Sequence, residues 1–278
     1  MSHLNLCILR SGSHANCTAI WTEDECILID CARFEHDAKS DIHEVAEELL
    51  SIGIQPSTIK GLLISHAHGD HIDDKALKFA MSNRIPLYSH PVTFERIMQK
   101  FNRIEYRKSL IKDISSGPTM IGHFKVESFE TNHWSDRKNI AGQSLGFTIT
   151  HINKKEQHKI GFVTDTKAIT PKIRGFLKNC QTLIIEANYS ETYIKTISPH
   201  PGYEEHMGNE ATGKAIAKLF SESKAEKSLT KVFLAHISDS NNNVKLALKE
   251  VGKILKDKQI DIKPLATFRH EKTEIYQL

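Results

Sequence analysis

Three histidines and an aspartate are concentrated in the segment 65–71, directly after a short apolar run. The apolar run predicts a buried strand that ends where the sequence turns polar, so that a loop carries the histidines. His66 and His68 can point the same way from an extended backbone, whereas Asp70 and His71 are adjacent and must diverge, which suits two neighbouring metal ions. A histidine-rich loop without metal is the alternative, but polar groups packed this densely need partners.

Three more candidate ligands, His133, Asp165 and His236, each follow a predicted strand. The ends of strands are where open α/β sheets have their functional sites. Taken alone, each of them is more simply interpreted as a satisfied histidine or a loop aspartate. Together with the segment 65–71 they complete a set that is large enough for two metal ions, a shared carboxylate and an open water position. The predicted metal ligands are His66, His68, Asp70, His71, His133, Asp165 and His236.

Alternating apolar and polar runs predict the elements that position these residues. Strands are predicted within 4–31 and at 62–64, 85–88, 123–130, 145–152, 159–164, 182–185, 231–235, 260–262 and 273–276. Helices are predicted at 41–52, 73–83, 91–101 and 171–178, and on the apolar faces of 211–220 and 244–255. A strand-rich first half and a strand–helix second half can close one two-sheet core, so we expect a single α/β domain over residues 1–278.

The composition excludes disordered and membrane-spanning classes, because 39% of the residues are hydrophobic and 26% are charged, as in ordinary globular proteins. No run approaches the roughly 18 apolar residues that cross a bilayer, and no signal peptide is evident. We therefore expect a cytoplasmic protein without membrane association. The five scattered cysteines predict reduced thiols in or near the core.

The net charge of +3 permits a phosphate-bearing substrate without requiring one. Positive charge is denser in one segment after the helix predicted at 91–101. Two interpretations stay open for that segment, a nucleic-acid contact surface and a merely solvated face. Its basic and aromatic members are Lys100, Phe101, Arg103, Tyr106, Arg107, Lys108 and Lys112.

The whole ligand pattern resembles the metallo-β-lactamase superfamily, whose signature His-x-His-x-Asp-His corresponds to residues 66–71. The resemblance covers essentially the whole length and implies a four-layer αβ/βα sandwich with the site at the sheet edge. It also implies how the ligands are shared: one metal ion on His66, His68 and His133, the other on Asp70, His71 and His236, and Asp165 bridging the two. Histidine-rich ligation favours Zn²⁺, while the carboxylates also allow Mn²⁺ or Fe²⁺.

Within that superfamily, the residues look most like the YycJ-like (WalJ) branch of metal-dependent nucleases. The similar segments are an early Ser-Gly-Ser-x-x-Asn loop at 11–16, the Ile-Glu-Ala-Asn stretch containing Glu186, the segment His206 to Asn209, and His236-Ile237-Ser238 followed by two asparagines. Two departures stand out. Trp134 follows His133 where the family usually has an acidic residue, and Gly208 stands where the branch commonly has serine.

The predicted chemistry is hydrolysis by hydroxide. Two metal ions lower the pKa of a bridging water from near 16 towards about 7 and stabilise charge on a phosphoryl oxygen. Glu186 and His206 resemble a pair in ribonuclease Z enzymes and are candidates for protonating the leaving oxygen. The alternative for Glu186 is a surface ion pair, and the alternative for His206 is an ordinary position next to a helix N-cap. The predicted catalytic residues are Asp70, Asp165, Glu186 and His206.

The resemblance implies a phosphodiesterase that acts on DNA, with 5′ exonuclease activity. A glyoxalase II-type thioester hydrolase is a rival that uses the same ligands, but a thiolate leaves without the proton donor that an alkoxide needs. RNA processing and a small-molecule phosphodiesterase stay open, and no protein partner is evident. A non-enzymatic metal-stabilised module is disfavoured, because structural sites fill every coordination position with protein. The loop at 11–16 is either a phosphate cradle or a hairpin that brings Asn16 near the site.

Overall fold

The structure, a computed structural model, describes residues 3–32, 43–133, 142–152, 157–223 and 229–278. Within these residues the chain forms two units, each with its own dense set of contacts. The first unit comprises Met1–Gly122, Ser135–Leu145 and Arg269–Leu278, and the second comprises His123–Trp134 and Gly146–Phe268. The expected single domain over residues 1–278 stays a prediction.

The first sheet combines an antiparallel start with a parallel continuation. Its strands are β1 (Asn5–Arg10), β2 (Cys17–Trp21), β3 (Cys26–Cys31), β4 (Ile59–Leu63), β5 (Leu87–Ser89), β6 (Ile111–Asp113) and β14 (Tyr276–Gln277). The order across the sheet is β14-β1-β2-β3-β4-β5-β6. β1 to β3 pair antiparallel, and β3 to β6 pair parallel, so that β4 and its parallel neighbours end at the same edge.

Three helices cover one face of the first sheet: α1 (His43–Leu50), α2 (Asp74–Ser82) and α3 (Pro91–Lys100). α2 begins where Asp73 accepts a hydrogen bond from the Ala76 N–H, and α3 begins at Pro91, which has no N–H to leave unpaired. Apolar residues from all three helices join residues of β1 to β5 in one buried cluster. Burial of this cluster is what holds the helices on the sheet.

The second sheet also combines antiparallel and parallel pairs of strands. Its strands are β7 (Thr119–Ile121), β8 (Phe124–Glu130), β9 (Leu145–Ile152), β10 (Gln157–Val163), β11 (Thr182–Glu186), β12 (Lys231–Ala235) and β13 (Leu265–Ala266), in the order β13-β12-β11-β10-β9-β8-β7. β10 to β13 pair parallel. α4 (Pro171–Leu177), α5 (Asn209–Glu222) and α6 (Val244–Asp257) bury their apolar residues against these strands. The carboxyl ends of β10, β11 and β12 therefore meet at one edge.

Most predicted elements are confirmed, including β12, whose bounds match the prediction residue for residue. The strand predicted at 260–262 is wrong. α6 ends in a tight turn at Gln259, whose φ is 57°, and the N–H of Ile260 donates to the Leu255 carbonyl. Ile260 and Ile262 then pack against the apolar cluster below the helix, and pairing with β12 begins only at Leu265.

Two smaller expectations have different outcomes. The helix predicted at 41–52 is observed from His43 to Leu50, followed by Gly53 at φ 83°, while residues 41 and 42 lie outside the described residues. All five cysteines are buried and free, as predicted: Cys7, Cys17, Cys26, Cys31 and Cys180. Among the described residues, none of the helices is both long and apolar enough to cross a membrane.

Candidate metal centre

In the first unit, the loop after β4 brings its histidines together. The Nε2 atom of His66 lies 2.9 Å from the Nδ1 atom of His68, and the rings of His66 and His71 are 4.1 Å apart between centroids. The Nε2 atom of His71 lies 3.4 Å from a carboxylate oxygen of Asp70. The backbone N–H of Cys31 donates to the carbonyl of His71, which fixes the end of the loop against β3. Two imidazole nitrogens this close suit a shared cation.

Asp30, near the end of β3, fixes this loop through hydrogen bonds to Ser65 and His71. Its carboxylate is fully buried and accepts hydrogen bonds from the N–H and the hydroxyl of Ser65, both at 2.8 Å. The same carboxylate lies 2.7 Å from Nδ1 of His71. A carboxylate at Nδ1 keeps the proton on that nitrogen and leaves the lone pair on Nε2, which is the form of histidine that binds metal.

The hairpin loop between β1 and β2 reaches the same histidine. Asn16 exchanges hydrogen bonds with the backbone of Gly12, at 3.1 and 2.9 Å, which closes the loop. The Nδ2 atom of Asn16 also donates to the carbonyl of Asp70 at 3.1 Å and lies 3.2 Å from Nε2 of His71. Of the two interpretations of the loop at 11–16, the structure shows the hairpin, with Asn16 next to His71.

In the second unit, four titratable side chains form one group at the carboxyl edge of the sheet. Asp165 follows β10, Glu186 ends β11, His236 follows β12, and His206 lies just before α5. Ligand atoms of these four residues all lie within 4.8 Å of one another. An oxygen of Asp165 lies 3.7 Å from Nε2 of His236 and 3.8 Å from Nε2 of His133. The strand ends therefore bring these predicted residues together.

Glu186 is the fully buried centre of that group. One carboxylate oxygen lies 2.7 Å from Nδ1 of His206 and 3.1 Å from Nδ1 of His236. The other oxygen accepts from the backbone N–H groups of Thr166 and Met207, at 3.1 and 3.2 Å. Burial by itself raises the pKa of Glu186, but the charge of His206 and the hydrogen bonds from both imidazoles outweigh it and hold that pKa below its usual value.

The pKa values of His206 and His133 are shifted in opposite directions. Burial lowers the pKa of His206, but the neighbouring Glu186 outweighs burial, so the pKa is raised and the protonated imidazole is favoured beside the carboxylate. For His133 burial prevails and the pKa is lowered, while its Nδ1 lies 3.4 Å from the carbonyl of Glu205. The ring centroids of His133 and His236 lie 5.0 and 5.2 Å from that of His206.

Three of these residues have a left-handed backbone. The φ angles are 52° at Asp30, 53° at Asp165 and 52° at His236. Non-glycine residues adopt this region rarely, and surrounding contacts must hold them there. Thr131 donates to the Asp165 carbonyl at 2.8 Å, and Asn188 donates to the His236 carbonyl at 3.0 Å. These two hydrogen bonds hold the backbone that carries Asp165 and His236.

The donor set fits divalent metal ions. His71, His133 and His236 each have Nδ1 close to a carboxylate or carbonyl oxygen, and each has Nε2 within 3.8 Å of an aspartate oxygen. Buried carboxylates or carbonyls at Nδ1 are the supports that metal-bound histidines have in proteins.

A sequence profile of a known family, described as a Beta-lactamase superfamily domain, matches residues 27–229, which is more than half of the chain. The chain belongs to the metallo-β-lactamase superfamily. Members of this superfamily use divalent metal ions in hydrolysis, so the chain is a hydrolase of that class. The fold class predicted from the sequence is confirmed, because the two mixed sheets with helices also match solved structures of this fold.

Individual superfamily members agree with the predicted branch. Exodeoxyribonuclease YycJ of Bacillus anthracis is 23% identical over 263 residues, which cover 92% of this chain and 90% of that protein. Exodeoxyribonuclease WalJ of Streptococcus pneumoniae serotype 2 is 23% identical, with 86% and 84% covered. The metallo-β-lactamase fold protein YhfI of Bacillus subtilis has 16% identity and a TM-score of 0.69, with both chains fully covered. The predicted resemblance to the YycJ-like branch is confirmed.

The departure from the branch at Gly208 has a structural cause. A side chain at position 208 would collide with the carboxylate of Glu191 and the ring of Tyr189. The Glu191 carboxylate occupies that space because it accepts hydrogen bonds from the Glu210 N–H, at 2.9 and 3.0 Å, at the start of α5. Glu191 thus replaces a capping side chain at 208. The other departure, Trp134, lies outside the described residues.

Sequence reasoning missed two residues of the site. Asp30 lies near the end of the buried strand β3, so the strand-end pattern that singled out Asp165 could also have found it. Asn188 stands in the stretch that carries Glu186, but nothing in its sequence context predicts that its amide group donates a hydrogen bond to the carbonyl of His236.

Proposed function

We propose that the chain is a metal-dependent phosphodiesterase that hydrolyses DNA, with the activity of an exonuclease. The observation that carries the proposal is the buried Glu186 with His206 at 2.7 Å, in the group that also contains Asp165 and His236. A phosphodiester releases an alkoxide, which needs a proton, and an imidazole held by a carboxylate is suited to supply it. The relatives named exodeoxyribonucleases support DNA as the substrate. The 5′ direction follows the resemblance to the branch alone.

The proposed ligand set is the one predicted from the sequence, with Asp165 shared between two ions. When bound, two divalent ions would supply a nucleophilic water of lowered pKa and polarise the phosphoryl oxygen. Zinc is our first choice because of the histidine-rich ligation, with manganese or iron as alternatives. The first ion would be held by His66, His68 and His133, and the second by Asp70, His71 and His236.

The chain's own residues then orient and transfer protons. Asp30 and Glu186 keep Nδ1 protonated in His71 and His236, so that Nε2 of each ring is available as a ligand. Because Nδ1 of His206 faces Glu186, His206 would donate its Nε2 proton to the leaving oxygen. Glu186 touches no substrate in this proposal; it orients His206 and stabilises its positive charge.

The test is a comparison of leaving groups with purified protein and zinc or manganese. The substrates are 5′-phosphorylated duplex DNA, structured RNA, bis(p-nitrophenyl) phosphate and a lactoyl thioester. We expect mononucleotides to be released from the DNA faster than any RNA product. Preferred hydrolysis of the thioester would assign the chain to the glyoxalase II type, and preferred cleavage of RNA would assign it to RNA processing.

The role of His206 has its own test. His206→Ala should lower kcat on DNA by about 10² to 10⁴-fold, the usual contribution of general acid catalysis, but should hardly affect bis(p-nitrophenyl) phosphate, whose leaving group needs no proton. The exposed His3 provides the control substitution, His3→Ala. Equal losses on both substrates would exclude proton donation by His206.

A further inference from the structure

We propose that four exposed cations beside the metal loop, Arg103, Arg107, Lys108 and Lys112, bind the phosphate backbone of the DNA substrate. We call these four residues the basic face. The inference rests on the proposed function, because it names the surface that holds the same substrate. It chooses between the two interpretations that the sequence leaves open for this segment.

Positive charge is concentrated in the segment that carries the basic face. The segment 100–112 has five cationic side chains and a single carboxylate, Glu105, whereas the formal net charge of the whole chain is only +3. Positive charge in excess of the molecule's total is therefore collected in one short segment. A local field of this sign attracts a polyanion and increases its rate of association.

The four cations of the basic face are available to bind phosphate. All four residues of the basic face are exposed, and within the described parts of the chain no ion pair engages any of them. Other surface cations do have acidic partners: Lys78 lies 2.8 Å from Asp74, and Arg174 lies 2.9 Å from Glu222. Unpaired cations can contact phosphates without first breaking an ion pair.

Apolar packing holds the segment 100–112 in place. Ile104, Tyr106 and Leu110, which alternate with the cations, pack against the apolar cluster of the first unit. The hydroxyl of Tyr106 donates to the carbonyl of Phe101 at 3.3 Å, and the N–H of Arg107 points to the sulfur of Met81 at 3.5 Å. A fixed backbone reduces the ordering cost of binding.

The segment 100–112 begins next to the metal loop. The Nζ atom of Lys100 donates to the carbonyl of Ala67 at 3.2 Å, so the segment starts at the metal loop itself, between two proposed ligands. At its other end, Lys112 on β6 pairs with Tyr88 on β5, and Tyr88 pairs with Leu63 at the end of β4. Two strand spacings place the Lys112 backbone about 10 Å from the strand that enters the loop. About three phosphates of one duplex strand span that distance.

The experiment removes the charge and measures salt dependence. Arg103→Gln, Arg107→Gln, Lys108→Gln and Lys112→Gln are combined in one variant. The control variant combines Lys245→Gln, Lys249→Gln, Lys253→Gln and Lys256→Gln, which remove four exposed cations from α6. Fluorescence anisotropy records binding of duplex DNA with phosphorothioate ends, which slow cleavage, over a range of NaCl concentrations. Kinetics on 5′-phosphorylated duplex DNA and on bis(p-nitrophenyl) phosphate complete the set.

For the basic-face variant we expect the negative slope of log K against log salt to become less steep by about 3 to 4, since each phosphate contact contributes about −0.9. KM for DNA should rise at least about tenfold at physiological salt, while kcat/KM on bis(p-nitrophenyl) phosphate should stay unchanged. The control variant should keep the wild-type slope. Because the substituted residues are exposed, both variants should melt like the wild type. If the combined variant does not fold, Arg103→Gln and Lys112→Gln alone should each make the negative slope less steep by about 0.9.

The two proposals fail in different ways. Equal slopes for the wild type and the basic-face variant would overturn the inference, even if the protein hydrolyses DNA. A parallel loss of activity on bis(p-nitrophenyl) phosphate would also overturn it, because the damage would then lie in the catalytic group. A protein that binds DNA through the basic face but hydrolyses none would retain this inference and contradict the proposed function.

Discussion

Two buried carboxylates, Asp30 in the first unit and Glu186 in the second, hold Nδ1 of histidines that we propose as metal ligands. Each also accepts backbone N–H groups, from Ser65 in the first case and from Thr166 and Met207 in the second. Backbone hydrogen bonds therefore hold each carboxylate next to its histidine. Such preorganised supports account for part of the affinity of protein metal sites.

This predicts the effect of neutralising Asp30. Asp30→Asn keeps the size of the side chain but removes the negative charge that holds the Nδ1 proton of His71, so zinc affinity should fall about 10- to 100-fold. Competition with a chromogenic chelator measures the affinity directly. Asp257→Asn, at an exposed position in α6, is the matched control. Zinc affinity in Asp30→Asn equal to that of the control would contradict the positioning role.

His158 predicts a pH-dependent contribution to stability away from the site. Its Nε2 lies 2.9 Å from the hydroxyl of Thr182, and burial, aided by the charge of Lys231, lowers its pKa to about 4. In the unfolded chain the pKa of a histidine is about 6.5, so the unfolded state binds more protons between these values. This contribution is fully present above pH 6.5 and is lost as the pH falls towards 4.

The measurement is urea unfolding of the wild type and of His158→Gln, which cannot titrate. Between pH 7.5 and pH 5 the free energy of unfolding of the wild type should fall by about 2 kcal/mol more than that of His158→Gln. His3→Gln, at an exposed position, is the control. Parallel pH profiles for the wild type and His158→Gln would show that the buried imidazole does not resist protonation.

At the scale of elements, the start of α5 depends on a side chain from the preceding loop. Glu191 caps the helix and occupies the space next to Gly208. Glu191→Ala should cost about 1 kcal/mol through the lost cap, and Gly208→Ser about 1 to 3 kcal/mol through overpacking. The double variant should be more stable than the sum of the two effects predicts, because removal of Glu191 makes room for the serine.

Urea unfolding of the four proteins measures this coupling. Glu210→Ala, in the first turn of the same helix, removes only an exposed carboxylate paired with Lys214 and is the control, with an expected effect of a few tenths of a kcal/mol. Additive effects of Glu191→Ala and Gly208→Ser would mean that the two positions do not share the same space.

Periodicity predicted the regular elements because apolar spacing alone determines which face of a helix or strand is buried. It failed at short edge strands. β6 has three residues, IKD, of which two are exposed, so no alternation marks it as a strand. At 260–262 the alternation was real but served packing below α6 instead of pairing. What such segments do is decided by neighbours that are distant in the sequence.

At the scale of the whole molecule, the positions of the predicted ligands could be foreseen from the sequence, whereas the contacts of a support such as Asn188 could not. Strand ends marked the seven predicted ligands in advance. Asn188 holds the carbonyl of His236, a residue 48 positions away, and this pairing depends on the parallel register of β11 and β12. Such supports become visible only when the strands are placed side by side.

The spread of the proposed ligands along the sequence, from His66 to His236, predicts that metal binding stabilises the folded chain. Unfolded segments that distant cannot hold the same ion together, so zinc binds the folded state selectively. Zinc at about 100 times its Kd should then raise the free energy of unfolding by about 2.7 kcal/mol. Chemical unfolding of chelator-treated protein at increasing zinc concentrations measures the effect. His68→Ala and His236→Ala should each lose most of this increment, whereas His3→Ala should keep it; an increment retained in both ligand variants would contradict the proposed ligand set.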